Sequence, residues 1–268
     1  MNVDSMNDSS SQPNNNSAPA LWASLLTVAD KPVYVEVGDL CLTIRKMLHE
    51  WQLSYHWEKK GNQGGFDCRS LDGIGDNPET IVRIAMETMS DGLSLLPRLA
   101  DRPIVVRPYS PFTIPAHNKV TLYVTTPIWL SVNFAERVTR EFPVQQLSDT
   151  WMGPKSNAGE LCYGSHTHAR LDEDMLLHLP YRALTPVTMH NKSGADFTLE
   201  RLSIPAPHLA LYHDGEQLIT QPLTITIDAE GRRGIVNIGK ISDREVLSPA
   251  RKNAERGILV STWENLFA

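Results

Sequence analysis

Short apolar runs rich in β-branched residues, separated by proline and glycine, are the feature that most constrains the fold of this chain. Such runs are typical of β-strands, and segments with the length and periodicity of a helix are scarce. Prolines bound several runs, as expected because proline cannot donate a hydrogen bond to a strand ladder. The pattern predicts strands at residues 33–37, 40–45, 53–58, 104–107, 119–125, 128–134, 184–191, 197–204, 209–213, 223–228 and 234–238.

The spacing of these runs predicts an all-β, sandwich-like fold built from two packed β subdomains. Residues 77–89 are compatible with a capped helix or a strand, and their alternating apolar positions favour the strand. Near the C-terminus, Ser248 and Pro249 predict the start of a short helix through residue 256. The apolar residues that follow it are expected to dock on the core.

The same pattern divides the chain into four expected parts. Residues 1–20 are rich in Ser and Asn with little to bury, which is typical of a disordered tail. Residues 21–147 are expected to form an N-terminal β subdomain and residues 148–175 a central crossover segment. Residues 176–268 then form a C-terminal β-sandwich subdomain with the docked tail.

Charge and cysteine content exclude several classes of function. The net charge of -6 and the pI of about 5.8 have the wrong sign for gripping phosphate backbones, so we expect no nucleic-acid partner. No apolar run has the roughly 18 residues that a transmembrane helix requires, so no transmembrane segment is expected. The three widely spaced cysteines fit a reducing compartment better than a disulfide framework, which predicts a cytoplasmic protein.

The densest group of reactive side chains lies between residues 149 and 170 and supplies the candidate binding residues Asp149, Trp151, Glu160 and Arg170. Each also has a structural alternative: Asp149 can cap a turn, Trp151 can be a buried anchor, and Glu160 can pair with Arg170 or Arg182. Carbohydrate binding through Trp151 and the neighbouring carboxylates is a further alternative. No complete motif for a catalytic serine, a metalloprotease or a Cys-x-x-Cys site is present.

The spacing Gly-x6-His-x-His-x4-Glu, from Gly159 to Glu173, resembles the first metal-binding motif of the cupins. In that family two histidines, a glutamate and a later histidine hold Fe, Mn, Zn or Ni. The resemblance implies a metal site at His166, His168 and Glu173, but the glycine expected after the glutamate and the family's later motif are missing. The alternative, a pair of solvent-facing histidines on an edge strand, is favoured. We therefore expect no cofactor, and one transition metal ion is the alternative.

Several blocks in a fixed order resemble an uncharacterised prokaryotic family. They are DRPIVVRP (101–108), TLYVTTPIW (121–129), SDTWMGP (148–154), GELCYG (159–164), YRALTPV (181–187) and LERLSIPAPHLALYHD (199–214). The family is the domain of unknown function numbered 432, found in archaea and proteobacteria, and the resemblance covers most of the chain after Lys31. It implies a bacterial or archaeal protein, brings no established activity, and leaves a membrane-linked partner as an open alternative.

The absence of a complete catalytic motif favours a non-enzymatic binding or interaction module with a protein or small-molecule partner. This expectation is an analogy with other β-sandwich proteins that serve recognition. The alternative is a metal-dependent, cupin-like β-barrel enzyme that uses the His-x-His pair.

Overall fold

The computed structural model describes residues 22, 25–27, 31–72, 80–90, 92–135, 138–153, 159–167, 169–229 and 234–253. Of these residues, 57% lie in strands and 4% in short 3-10 helices, and none belongs to a helix of seven or more residues. The predicted all-β class is confirmed. No helix within these ranges is long and apolar enough to cross a membrane.

The strands of the described ranges form five sheets. In chain order they are β1 (Leu25–Thr27), β2 (Val33–Val37), β3 (Leu40–Lys46), β4 (Glu50–Trp57), β5 (Phe66–Ser70), β6 (Thr80–Ala85), β7 (Gly92–Arg98), β8 (Ile104–Pro108), β9 (Phe112–Ile114), β10 (Lys119–Pro127), β11 (Trp129–Ala135), β12 (Val138–Pro143), β13 (Ser148–Met152), β14 (Glu160–Thr167), β15 (Arg182–Asn191), β16 (Phe197–Leu199), β17 (Leu202–Ile204), β18 (Leu211–His213), β19 (Leu218–Thr220), β20 (Leu223–Ile227), β21 (Gly234–Ile238) and β22 (Val246–Ser248). Single-turn 3-10 helices lie at Gly61–Gln63, Glu173–Met175 and Ala206–His208.

The N-terminal region is a sandwich of two antiparallel sheets. One has the strand order β5-β2-β3-β4-β6 and the other β1-β7-β11-β12. Their inner faces meet through aromatic contacts: the ring centroids of Trp51 and Phe134 are 5.3 Å apart, and those of Tyr55 and Phe142 are 4.8 Å apart. Alternate residues of β2 are buried, so one face of its sheet lies in the core and the other faces outward.

The C-terminal region is organised around the ten-residue strand β15. One edge of β15 pairs antiparallel with β10, from Lys119 opposite His190 to Pro127 opposite Arg182. Its other edge pairs in parallel with β19 and then with β20. A separate sheet has the order β13-β14-β8-β17, and β9 pairs with β16. Strand β10 contacts β8 and β14, which brings these two sheets together.

The two regions share one cluster of buried apolar side chains that extends from Trp22 to Val236. Strand β10 continues through Ile128 into β11 and so passes from the C-terminal sheet into the N-terminal one. Glu141 on β12 accepts a hydrogen bond from Arg251 at 2.6 Å and lies 3.4 Å from Arg98 on β7. This three-residue ion cluster fixes the segment after β22 against the N-terminal sheets.

Most predicted strands are found close to their expected bounds, and residues 77–89 contain strand β6, as favoured. The predicted run 197–204 is divided into β16 and β17.

The helix predicted to start at Ser248 and Pro249 is wrong as far as residue 253, because Ser248 ends a strand and the next residues are not helical. Residues 249–253 are held instead by contacts with distant segments. Arg251 Nε donates to Leu99 O at 2.8 Å, and Lys252 N donates to Pro207 O at 2.9 Å. The predicted tail 1–20, residues 254–256 and the final apolar segment lie outside the described residues.

Asn191, at the end of β15, is a buried hydrogen-bonding centre. The two N–H groups of its amide are shared among the carbonyl oxygens of Ile114, Pro115 and Ala195, which lie 3.0, 3.1 and 2.9 Å from the nitrogen, and its oxygen accepts two bonds from Ser193. Replacing Asn191 with leucine removes these partners, and each buried polar group left unsatisfied costs about 1–3 kcal/mol. We expect Asn191→Leu to lower the free energy of unfolding by about 2–4 kcal/mol in urea denaturation.

Asn118→Leu, at an exposed site, is the control and should change the free energy of unfolding by less than about 0.5 kcal/mol. Equal stabilities of the two variants would contradict this assignment.

His213, at the end of β18, is expected to make stability depend on pH. Its Nδ1 accepts a hydrogen bond from Gly215 N at 2.9 Å, which requires the neutral ring, and burial lowers its pKa against the opposing influence of Asp214. Because the unfolded chain takes up the proton first, this contribution is complete above pH 6.5 and is lost as the pH falls below that value. Asparagine at this position can still accept the bond but cannot titrate. Urea denaturation between about pH 7 and pH 5 should therefore show a smaller loss of stability for His213→Asn than for the unsubstituted protein; parallel curves would refute the assignment.

Candidate functional site

The segment with the densest reactive side chains folds into a hairpin. Strands β13 and β14 pair antiparallel, with Ser148 opposite Gly164 and Trp151 opposite Leu161. Trp151 and Leu161 lie at the turn end of the hairpin and are exposed. The indole of Trp151 lies so close to Gly159 that a Cβ there would clash with it. Asp149 forms an ion pair with Arg102 at 3.3 Å on the surface.

Glu160 and Cys162 follow the turn of this hairpin. Cys162 is fully buried with Val105 and Met152, and burial raises the pKa of its thiol to about 12, which keeps it protonated. Burial also raises the pKa of the Glu160 carboxyl group, although the residue as a whole is exposed, and Lys252 and His208 oppose this shift. Within the described ranges Glu160 forms no ion pair, with Arg170, Arg182 or any other residue.

The candidate metal ligands are only partly described. His166 is exposed on β14, and His168 lies outside the described residues. Glu173 lies in a 3-10 helix and accepts a hydrogen bond from Gln217 Nε2 at 3.1 Å. The backbone of Arg170 forms an isolated bridge with Tyr123, and its side chain is exposed.

His166 lies far from the turn end of the hairpin. It is five positions along the strand from Leu161, the partner of Trp151, which corresponds to about 17 Å at 3.4 Å per residue. The structure therefore does not bring His166 together with Trp151 and Glu160. It places His166 instead beside a cleft.

This cleft, of about 500 Å³, opens where the N-terminal and C-terminal sheets meet. One wall is the end of β14, from Gly164 to Thr167, and another is the segment from Gln145 to Ser148 that leads into β13. Asp39 of the β2–β3 turn and Asn62 of the 3-10 helix Gly61–Gln63 line the far side, and Leu176, Leu177 and Leu179 add an apolar rim.

Arg182 lies at the base of the cleft, as the first residue of β15. Its Nε donates to Thr125 Oγ1 at 3.0 Å, its Nη2 to Thr125 O at 2.7 Å and its Nη1 to Gln145 Oε1 at 2.9 Å. All three acceptors are uncharged, and no carboxylate in the described part of the chain lies within ion-pair distance. Burial lowers the pKa of Arg182 to about 10, a value at which the guanidinium still carries its charge at neutral pH.

Asp39 is the acidic group of the cleft and is separated from Arg182 by Gln145. The Gln145 amide accepts from Arg182 through its oxygen, and its nitrogen lies 3.5 Å from Asp39 Oδ2. Asp39 Oδ1 accepts from the backbone N of Lys60 at 3.0 Å. Among its described lining residues the cleft therefore has one guanidinium and one carboxyl group, with the neutral Gln145 amide between them.

The mouth of the cleft carries an aromatic pair. Tyr109, which follows β8, is 65% exposed, and its ring centroid lies 5.8 Å from that of His166. The hydroxyl group of Ser165 donates to the backbone oxygen of His166, at 3.4 Å, and not to its ring. This hydrogen bond is not the serine–histidine side-chain contact that activates a serine nucleophile.

Sequence reasoning missed the main residues of this cleft. In the sequence, Arg182 is only a possible ion-pair partner for Glu160, and Asp39, Tyr109 and Gln145 do not stand out. No local pattern distinguishes Arg182 from other arginines, because its burial depends on the pairing of β15 with β10 and on the position of Gln145 after β12. The one available signal was its place beside Tyr181 in the block YRALTPV.

Comparison with known proteins gives a family but no characterised relative. No curated protein and no solved structure matches the chain. The family model described as "Protein of unknown function (DUF432)" matches residues 22–267, nearly the whole chain. The resemblance carried by the sequence blocks from residue 101 to residue 214 is thus confirmed, and the chain belongs to the DUF432 family.

Proposed function

We propose that this protein is a non-enzymatic binding module that takes a small anionic molecule, bearing a carboxylate or phosphate group, in the cleft above Arg182. The observation that carries the proposal is the guanidinium of Arg182, which is partly buried and bonded only to uncharged oxygens within the described residues. Buried charges in proteins are normally paired, because an uncompensated charge is costly. An anionic ligand would supply the missing partner.

The shape of the cleft supports a small ligand. Its volume of about 500 Å³ lies within the 300–1,000 Å³ that is usual for small-molecule sites. A guanidinium offers five N–H donors, of which three are engaged by Thr125 and Gln145, so two remain for an anion. Tyr109 and His166 at the mouth provide aromatic surface for the rest of the molecule.

We further propose that the cleft lies between two β subdomains, residues 21–147 and 176–268, and that segment 148–175 connects them across it. Tyr181 lies at the junction of the two subdomains, because its hydroxyl group donates to Gly61 O at 2.7 Å. Strands β8, β9 and β10 of the first subdomain pair with β17, β16 and β15 of the second, so they form part of this junction. The described cysteines, Cys41, Cys68 and Cys162, are free thiols, in keeping with a cytoplasmic location as part of the same proposal.

The test is ligand-induced stabilisation of the unsubstituted protein and of the Arg182→Met variant. A ligand present at about 100 times its Kd stabilises the folded state by about 2.7 kcal/mol, which is easily measured as a rise in Tm. We expect at least one member of a panel of small carboxylates, phosphate esters and inorganic phosphate to raise the Tm of the unsubstituted protein. Methionine keeps much of the packing volume but removes the charge, so the rise should disappear in Arg182→Met.

The matched control for this experiment is Arg102→Met, which removes an exposed arginine outside the cleft and should keep the full rise in Tm. Arg182→Lys tests geometry, because a lysine keeps the charge but cannot form the two-pronged contact, and should retain only part of the rise. Comparison of carboxylates with phosphates identifies the anion. The same rise in the Arg182→Met variant, or no rise with any compound, would exclude this function.

The alternative proposal is a metal-dependent, cupin-like enzyme that uses His166, His168 and Glu173. The position of His166 on the wall of the cleft favours it. Metal analysis of untagged protein decides between the two, because a metal held by this set must be lost in His166→Ala.

A further inference from the structure

We propose that Cys41, His56 and Glu58 form a binding site for one divalent transition-metal ion, with Zn²⁺ as the best match to their chemistry. Cys41 on β3 lies directly opposite His56 on β4, and Glu58 follows the end of β4. The possible ligand atoms of these three residues all lie within 4.8 Å of one another. No other group of three or more His, Cys, Asp or Glu residues in the described ranges meets that condition.

Only small movements separate this arrangement from a coordinated ion. Tetrahedral Zn²⁺ binds sulfur at about 2.3 Å and nitrogen or oxygen at about 2.0–2.2 Å, which places its ligand atoms roughly 3.3–3.8 Å apart. Cys41 is buried and fixed within the sheet, whereas His56 and Glu58 are exposed and can turn towards it. A thiolate, an imidazole and a carboxylate suit Zn²⁺ and Co²⁺, and water would take the fourth position.

A cation already occupies this cluster, namely the ammonium group of Lys60. Its Nζ lies 2.6 Å from Glu36 Oε1, 3.8 Å from Glu58 Oε2 and 3.9 Å from Cys41 Sγ. The hydrogen bond from Lys60 lowers the pKa of Glu36 despite partial burial, so that carboxylate is ionised. The cluster therefore attracts positive charge, and a metal ion would displace the ammonium group from Cys41 and Glu58 while Glu36 can retain it.

The charges balance when the metal binds. Binding breaks the S–H bond of Cys41, forms a metal–sulfur bond and releases the proton to solvent. The thiolate of Cys41 and the carboxylates of Glu36 and Glu58 then carry three negative charges, and Lys60 with the divalent ion carries three positive charges. No oxidant or other reactant is needed.

The metal cluster adjoins the cleft but shares no ligand with Arg182. The backbone N of Glu58 donates to Asp39 O at 2.8 Å, and the backbone N of Lys60 donates to the Asp39 carboxylate, which lines the cleft. The two proposals can therefore fail separately: Arg182→Met should leave metal binding unchanged, and Cys41→Ser should leave the anion-binding arginine in place.

The experiment is titration of the full, untagged chain with Co²⁺ and Zn²⁺ under reducing conditions. We expect one Co²⁺ per chain with the near-ultraviolet absorption of a cobalt–thiolate bond, and displacement of Co²⁺ by Zn²⁺. Cys41→Ser and His56→Ala should each weaken binding by roughly 100-fold or more, since even residues that only support a metal ligand commonly change affinity by 10–100-fold. Lys60→Met removes the competing ammonium group and should tighten binding.

Controls separate this site from nonspecific binding and from the His166 site. Cys68→Ser changes another thiol of the same sheet, and His166→Ala changes the cleft histidine; both should bind Co²⁺ as the unsubstituted protein does. Because His56 is exposed, its replacement tests the site even if Cys41→Ser fails to fold. The proposal is overturned by Co²⁺ binding without the thiolate absorption, by absence of stoichiometric binding, by equal effects of Cys41→Ser and Cys68→Ser, or by unchanged or weaker binding in Lys60→Met.

Discussion

The contact between Tyr181 and the turn at Gly38 is the interaction on which the central junction of this protein depends. Gly38 has a φ of 59°, and a Cβ there would lie 3.0 Å from the Tyr181 ring, so the ring packs directly on the backbone of the β2–β3 turn. The Tyr181 hydroxyl reaches Gly61 O, and its carbonyl oxygen accepts from Ile128 N at 3.1 Å. One residue thereby ties β15 to the sheet β5-β2-β3-β4-β6 and to the β10–β11 connection.

This junction also sets the chemistry of the cleft, because Arg182 follows Tyr181 directly. Fixing Tyr181 places the next side chain under Thr125 and beside Gln145, where its guanidinium is shielded from water but finds no carboxylate among the described residues. Replacing buried ionic groups with well-packed apolar residues is often neutral or stabilising in proteins. Stability of the fold alone therefore gives no reason for a charge at this position.

The polar groups near Asp39 form a second centre with different character. Asp39 connects to the cleft through Gln145 and to the Cys41 cluster through the backbone of Glu58 and Lys60. On the cleft side the Arg182 guanidinium has only uncharged acceptors among the described residues, while on the cluster side one thiol and two carboxylate groups lie around the Lys60 ammonium group. The β2–β3 turn thus lies between an arginine with uncharged partners and a lysine with two carboxylate neighbours.

The sequence by itself determined the all-β class, most strand positions and family membership, because strand periodicity, proline punctuation and ordered blocks are local properties. It also singled out His166, which does line the cleft. Only the tertiary structure decided that Trp151 and Glu160 lie at the far end of a hairpin, that residues 249–253 are not helical, and that Cys41 faces His56. The importance of Arg182 arises in the same way: its burial and its neutral partners come from strands and segments 37 to 57 residues away in the chain, and no local pattern encodes such distant contacts.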